Sequence, residues 1–126
     1  MSMIIWAELQ LSVMNVLWRQ EPATVHDVIA ALSSDRTPAY TTILTVLTNL
    51  VRQGYATSEP RAGTRMFQYR PLVTRRQIQE GFAEEMVERL FANSPSELIR
   101  LVLETQPISA EELQKISDAV LNHSAS

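Results

Sequence analysis

The stretch AYTTILTVLTNL, residues 39–50, decides how the rest of the chain is read. Ile43, Val46, Leu47 and Leu50 recur at helical spacing and are expected to form one buried stripe. The opposite side carries Thr41, Thr45 and Thr48, with Thr42 at its edge. Threonine is a mediocre helix former, because its branched Cβ restricts χ1. A face that served solubility alone would carry Glu, Lys, Gln or Arg instead. The threonines therefore need a reason.

Working outward, a first helix is expected over roughly Glu8 to Arg19, with Leu9, Val13 and Leu17 inward and Met14 and Trp18 beside them. RQEPAT (19–24) breaks it. Thr24 with Asp27 forms a capping-box pattern for a second helix, Val25 to Leu32, whose stripe is Val25, Val28, Ile29 and Leu32. SSDRTP (33–38) is a turn, and the third helix runs from about Ala39 to Gln53, stopped by Gly54. YATSEP (55–60) and RMFQYRPL (65–72) are short, roughly alternating runs around RAGTR (61–65). They predict a hairpin pairing Ala56–Glu59 with Met66–Arg70, turned by Gly63 and ended by Pro71. Three helix starts follow: Thr74 with Gln77, Ser94-Pro95-Ser96-Glu97, and Ser109 with Glu112.

Three helices followed by a hairpin with an arginine-flanked glycine at its tip is the winged-helix pattern. The fold expected is mainly α: a winged helix-turn-helix over residues 1–73, then a helical domain over 74–123. In that arrangement the third helix lies in the DNA major groove, and short side chains let its backbone lie deep. A threonine hydroxyl can meet a base edge or a phosphate, and its methyl a thymine methyl. The alternative is that the hydroxyls only bond carbonyls one turn back.

The net charge of −3 argues against a nucleic-acid partner, but its distribution argues for one. Arg36, Arg52, Arg61, Arg65, Arg70, Arg75 and Arg76 face only Glu59 between residues 36 and 76, for +6. From Gln77 on, nine acids face Arg89, Arg100 and Lys115, for −6. Arg36, Arg52, Arg61 and Arg65 are the expected phosphate anchors, while Thr41, Thr45 and Thr48 face bases. Arg70, Arg75 and Arg76 could equally pair with the acidic half. The later helices carry wide apolar faces: Phe82, Met86, Leu90 and Phe91, then Leu98, Leu101, Val102, Leu113, Ile116 and Val120. A lobe of about 50 residues cannot bury all of that alone, and a second copy is the natural cover.

AELQLSVMNVLW, TVHDVIAAL, AYTTILTVLTNLVRQGYATSE and FQYRPLV together resemble the penicillinase-repressor family, which includes the methicillin-resistance repressor and copper-responsive relatives. The resemblance implies a repressor that binds a dyad-symmetric operator as a homodimer. It puts Tyr40, Thr41 and Thr42 at the start of the recognition helix, with Thr45 and Thr48 along its exposed face. Family members often carry basic residues where this chain has Leu44 and Asn49, so the operator sequence does not transfer. Copper-responsive members carry paired cysteines; this chain has no cysteine. The resemblance also brings in a membrane sensor that drives cleavage within the dimerisation helices. The corresponding bond falls near Leu101–Val102 in ELIRLVLETQ (97–106), where the resistance members have Asn-Phe. The same stretch reads as an amphipathic core helix.

No catalytic, cofactor or metal site is expected. His26 and His123 are isolated, Glu84-Glu85 and Glu111-Glu112 are adjacent and so diverge on a helix, and Gly63 stands alone. Lack of cysteine excludes disulfides and thiolate metal sites. No apolar run is long enough to span a membrane, and MSMIIWAELQ lacks the features of a signal peptide, so a cytoplasmic protein is expected. A protein-docking winged helix, an enzyme accessory subunit and a ligand-responsive regulator remain the competing readings.

Overall fold

The computed structural model describes residues 8–34 and 37–124. Arg36, part of the SSDRTP turn and most of the amino-terminal MSMIIWAELQ lie outside the described residues. The order is α1 (Glu8–Arg19), α2 (Val25–Leu32), α3 (Tyr40–Arg52), β1 (Ala56–Pro60), β2 (Phe67–Pro71), α4 (Arg75–Leu90), α5 (Pro95–Thr105) and α6 (Ala110–Ser124). This is a winged-helix chain, mainly α. It divides into two compact units, with the division between Glu85 and Met86.

The first unit is built on one apolar cluster. Val13, Met14, Val16 and Leu17 of α1 meet Val28 of α2 and Ile43, Leu47 and Leu50 of α3, all fully buried. Tyr69 of β2 and Ile78 of α4 close the cluster, and Phe82 packs on its edge. Val16 was not on the expected stripe of α1; it is buried along with its neighbour Leu17.

The start and stop signals of α2 and α3 form as the sequence predicts. The Thr24 hydroxyl accepts from Asp27 N at 3.1 Å while Thr24 N donates to the Asp27 carboxylate at 3.0 Å. At the end of α3, Tyr55 N donates to Leu50 O and Gly54 N to Val51 O, the paired bonds of a Schellman cap. Gly54 has φ +85°, the left-handed geometry that this cap demands.

The hairpin differs from expectation at its ends. Both strands run on to a proline, with Ala56 opposite Pro71 and Pro60 opposite Phe67. Each proline is the terminal residue of its strand, where its missing N–H costs the ladder least. A further strand-like residue was not foreseen: Ala23 exchanges both backbone bonds with Tyr69, at 3.1 and 2.8 Å. This ties the entry of α2 to the wing.

α4 starts on the expected Thr74–Gln77 box, whose two bonds are 2.8 and 3.0 Å. α6 starts on Ser109, whose hydroxyl accepts from Glu112 N. The box expected at Ser94 does not form. The Ser94 hydroxyl lies 3.1 Å from that of Ser96, leaving Glu97 N to bond the Ser94 carbonyl.

Two long-range bonds join α1 to residues just after the wing. Trp18 Nε1 donates to Val73 O at 2.8 Å, and the Arg75 guanidinium lies 4.7 Å from the Trp18 ring centre while bonding Asn15. Trp18→Phe keeps the ring but leaves the carbonyl without this donor. It should destabilise the chain by about 1–2 kcal/mol in urea unfolding, with the slope unchanged. A variant as stable as the parent would mean the bond contributes nothing net.

Candidate nucleic-acid interface

With Ile43, Leu47 and Leu50 fixed in the core, the other side of α3 has to face out. Tyr40, Thr41, Thr42, Thr45, Thr48 and Arg52 are all exposed. The Thr45 hydroxyl donates to Thr41 O at 2.8 Å and that of Thr48 to Leu44 O at 2.7 Å. Back-bonding of this kind was the plainer reading of the threonines. It uses the hydroxyl hydrogens but leaves the lone pairs and methyls outward. Helix α3 contains no acidic residue.

Thr64 organises the wing tip. Its N–H and hydroxyl both donate to Arg61 O, and its oxygen accepts from Met66 N at 3.2 Å. Arg61 N donates to Met66 O at 2.7 Å. Gly63 takes φ +76° in open space, so any other residue there would meet backbone strain but no clash. The turn leaves Arg61 and Arg65 exposed on either side of it. No carboxylate among the described residues pairs with either.

The seven central arginines therefore divide. Arg70 bonds Glu59 at 2.9 Å and approaches Glu21 at 3.9 Å. Arg76 pairs with Glu80, and Arg75 lies against Trp18 and Asn15. Of these three, only Arg76 meets the acidic half. Arg52 donates to neutral Asn49 Oδ1 at 3.3 Å. Among the described central arginines, those that no carboxylate balances are Arg52 at the end of α3, Arg61 and Arg65 at the tip of the wing, and Arg75 beside Trp18 and Asn15.

Leu44, Met66 and Phe67 on this side were not among the expected DNA-contacting residues, and all three are exposed. With His26, Tyr40 and Arg65 they line a cleft of about 180 Å³ between α2, α3 and the wing. The His26 and Tyr40 rings are 5.2 Å apart. Burial, with Tyr40 second, pushes the Tyr69 hydroxyl in the wall of this cleft up. Their alternating and helical spacings carried no signal that these residues meet. Only the return of β2, where Tyr69 pairs with Ala23 just before α2, brings them together.

A profile of the penicillinase repressor family matches residues 6–122. The chain belongs to that family. It is a family of DNA-binding transcriptional repressors, not enzymes. The methicillin resistance regulatory protein MecI of Mammaliicoccus sciuri is 23% identical over 110 residues, 87% of each chain. Two solved structures share the fold. A mutant of MepR from S. aureus, bound to an oligodeoxyribonucleotide, superposes with a TM-score of 0.51 at 17% identity, covering 97% of this chain and 79% of that one. The PcaV transcriptional regulator of Streptomyces coelicolor, with its natural ligand, gives 0.51 at 16%, covering 96% and 76%.

The second unit of this penicillinase repressor relative starts at Met86. Leu98 and Ile116 are half-buried, while Leu101, Val102 and Val120 are exposed, and no residue of α5 or α6 is fully buried. Leu98, Ile99, Val102, Leu103, Ile116 and Val120 line an open apolar cleft of about 700 Å³. Ile99 and Leu103 were not among the residues picked from the sequence. Of the other residues expected to pair, Leu90 is exposed and Met86 and Phe91 are half-buried. No helix among the described residues is long and apolar enough to cross a membrane.

In the hairpin, hydrogen bonds from Arg70 and then Gln68 hold the Glu59 carboxyl below its usual range. A lowered folded-state pKa gives stability that is present above the ordinary carboxylate pKa and lost as pH falls through the lowered one. Glu59→Gln should therefore lose less melting temperature than the parent on going from pH 7 to pH values below the carboxylate range. Parallel melting curves for the two would show that the pair does not couple to folding.

Proposed function

We propose that this chain represses transcription in the cytoplasm by binding a dyad-symmetric operator as a homodimer. In this reading residues 1–73 supply the DNA-binding domain and residues 74–123 the dimerisation domain. Helix α3 lies in the major groove with Tyr40, Thr41, Thr42, Thr45 and Thr48 toward the bases. Arg52, Arg61 and Arg65, with Arg36, hold phosphates on either side. The observation that carries the reading is the charge arrangement around α3: an acid-free, hydroxyl-rich face near Arg52, Arg61 and Arg65, which no carboxylate among the described residues neutralises. A polyanion is the partner such a surface attracts.

The open apolar cleft of the second unit supports pairing with a second copy through Leu98, Val102, Ile116 and Val120. Two copies would set two α3 helices about one DNA turn apart. Cleavage by a membrane sensor would act on the Leu101–Val102 bond, which lies inside α5. A protease needs that segment extended, so α5 would first have to open locally. The role of this stretch in pairing is the reading preferred here.

Thr45→Ala or Thr48→Ala should weaken operator binding by about 1–3 kcal/mol in a gel shift and leave folding nearly unchanged. Arg61→Ala or Arg65→Ala should weaken all duplexes alike and reduce the salt slope by about one unit. An unchanged slope would remove that arginine from the phosphate contacts, and equal operator affinity would remove the threonine from the reading face.

Val120→Asp puts a charge into the apolar cleft and should convert a sedimenting dimer into a monomer that binds a full operator far more weakly. A dimeric variant would refute pairing through this face. Truncation after Val73 would strip Ile78 from the first core, so a cut after Glu85 is the better source of a folded monomer.

A further inference from the structure

We infer that α3 reads thymine methyl groups in A·T pairs, with Leu44 as a specificity-determining residue. The inference rests on the DNA reading above and names what that surface selects. Leu44 is 36% exposed on the outward side of α3, one turn after Tyr40, which is 47% exposed. Thr41, Thr45 and Thr48 surround it at helical spacing. It is an apolar side chain in the middle of a hydroxyl-rich face.

The hydrogen bonds of that face limit what it can recognise. The Thr45 and Thr48 hydroxyl hydrogens are committed to the carbonyls of Thr41 and Leu44. These hydroxyls can then only accept. In the major groove the donors are adenine N6 and cytosine N4, and the methyl belongs to thymine. Guanine shows two acceptors, which an Arg or Lys would read, yet no cation lies on α3 before Arg52. An adenine can also be read by a bidentate Asn, and Asn49, whose Oδ1 keeps a second lone pair beside its bond from Arg52, would select the same A·T pair. A surface of lone pairs and methyl groups around Leu44 matches a T·A pair, with the adenine amine facing an acceptor and the thymine methyl facing Leu44. A G·C pair would offer one amine, cytosine N4, but it would set two guanine lone pairs beside the threonine lone pairs and give Leu44 no methyl.

The test starts with selection from a random duplex library using the full chain. The tightest duplex is then remade with each dT replaced singly by dU, which removes the methyl and keeps every hydrogen-bonding group. In the parent, at least one replacement per half-site should lower affinity about fourfold, the worth of one buried methyl. In Leu44→Ala the same replacement should have no effect, with thermal melting showing that the variant is folded. Enriched duplexes whose affinity is insensitive to every dU, or a methyl effect that persists in Leu44→Ala, would overturn the inference and leave the DNA reading standing. If no duplex is enriched, the DNA reading fails first and takes this inference with it.

Discussion

The burial of Ile43, Leu47 and Leu50 against α1 and α2 is the constraint on which the rest depends. A helix held by three fully buried side chains on one stripe has no rotational freedom about its axis. The direction in which Thr41, Thr45 and Thr48 point follows from that packing alone. So does the position of Arg52, one turn past the threonines. The Schellman cap at Gly54 then ends the helix abruptly and sends the chain into β1, so the wing starts from a defined point.

The wing is tied down in three ways. Ala23 pairs with Tyr69, Tyr69 enters the core, and Arg70 bonds Glu59 across the two strands. These ties hold the base of the hairpin, while Thr64 shapes a tip in which Arg61 and Arg65 keep no acidic partner. Rigid support with exposed charge at its end is a sound way to present a cation to a phosphate. Each of the arginines nearer the base has a partner within the chain, so the +6 of the central segment overstates the charge available to DNA.

The second unit has the opposite character. Leu98, Ile99, Val102 and Val120 are apolar, yet none is fully buried within the unit. Two short helices enclose too little volume to cover both their faces. The acidic residues of this half, such as Glu97, Glu104 and Glu111, are exposed.

The sequence by itself determined the elements and their order. Thr24 with Asp27, Gly54, Thr74 with Gln77 and the i, i+4, i+7 spacing of Ile43, Leu47 and Leu50 are local signals, because caps and amphipathic stripes act over one or two turns. The winged-helix fold followed from them, and the repressor family from the resemblance of AELQLSVMNVLW, TVHDVIAAL, AYTTILTVLTNLVRQGYATSE and FQYRPLV to its members. What lay beyond was whatever depends on residues distant in the chain. The Ala23–Tyr69 pairing, the Trp18–Val73 bond, the seating of Ile78 in the first core, and the cleft that Leu44 and Phe67 both line arise only when distant segments of the chain pack together. The hydroxyl hydrogens of Thr45 and Thr48 belong to the same class. The sequence leaves them free to point out or back, and the structure turns them onto the helix backbone because an i−4 carbonyl lies within reach. Local chemistry wrote the pattern of the chain; close packing decided which arginines stay unpaired and which side chains share a surface.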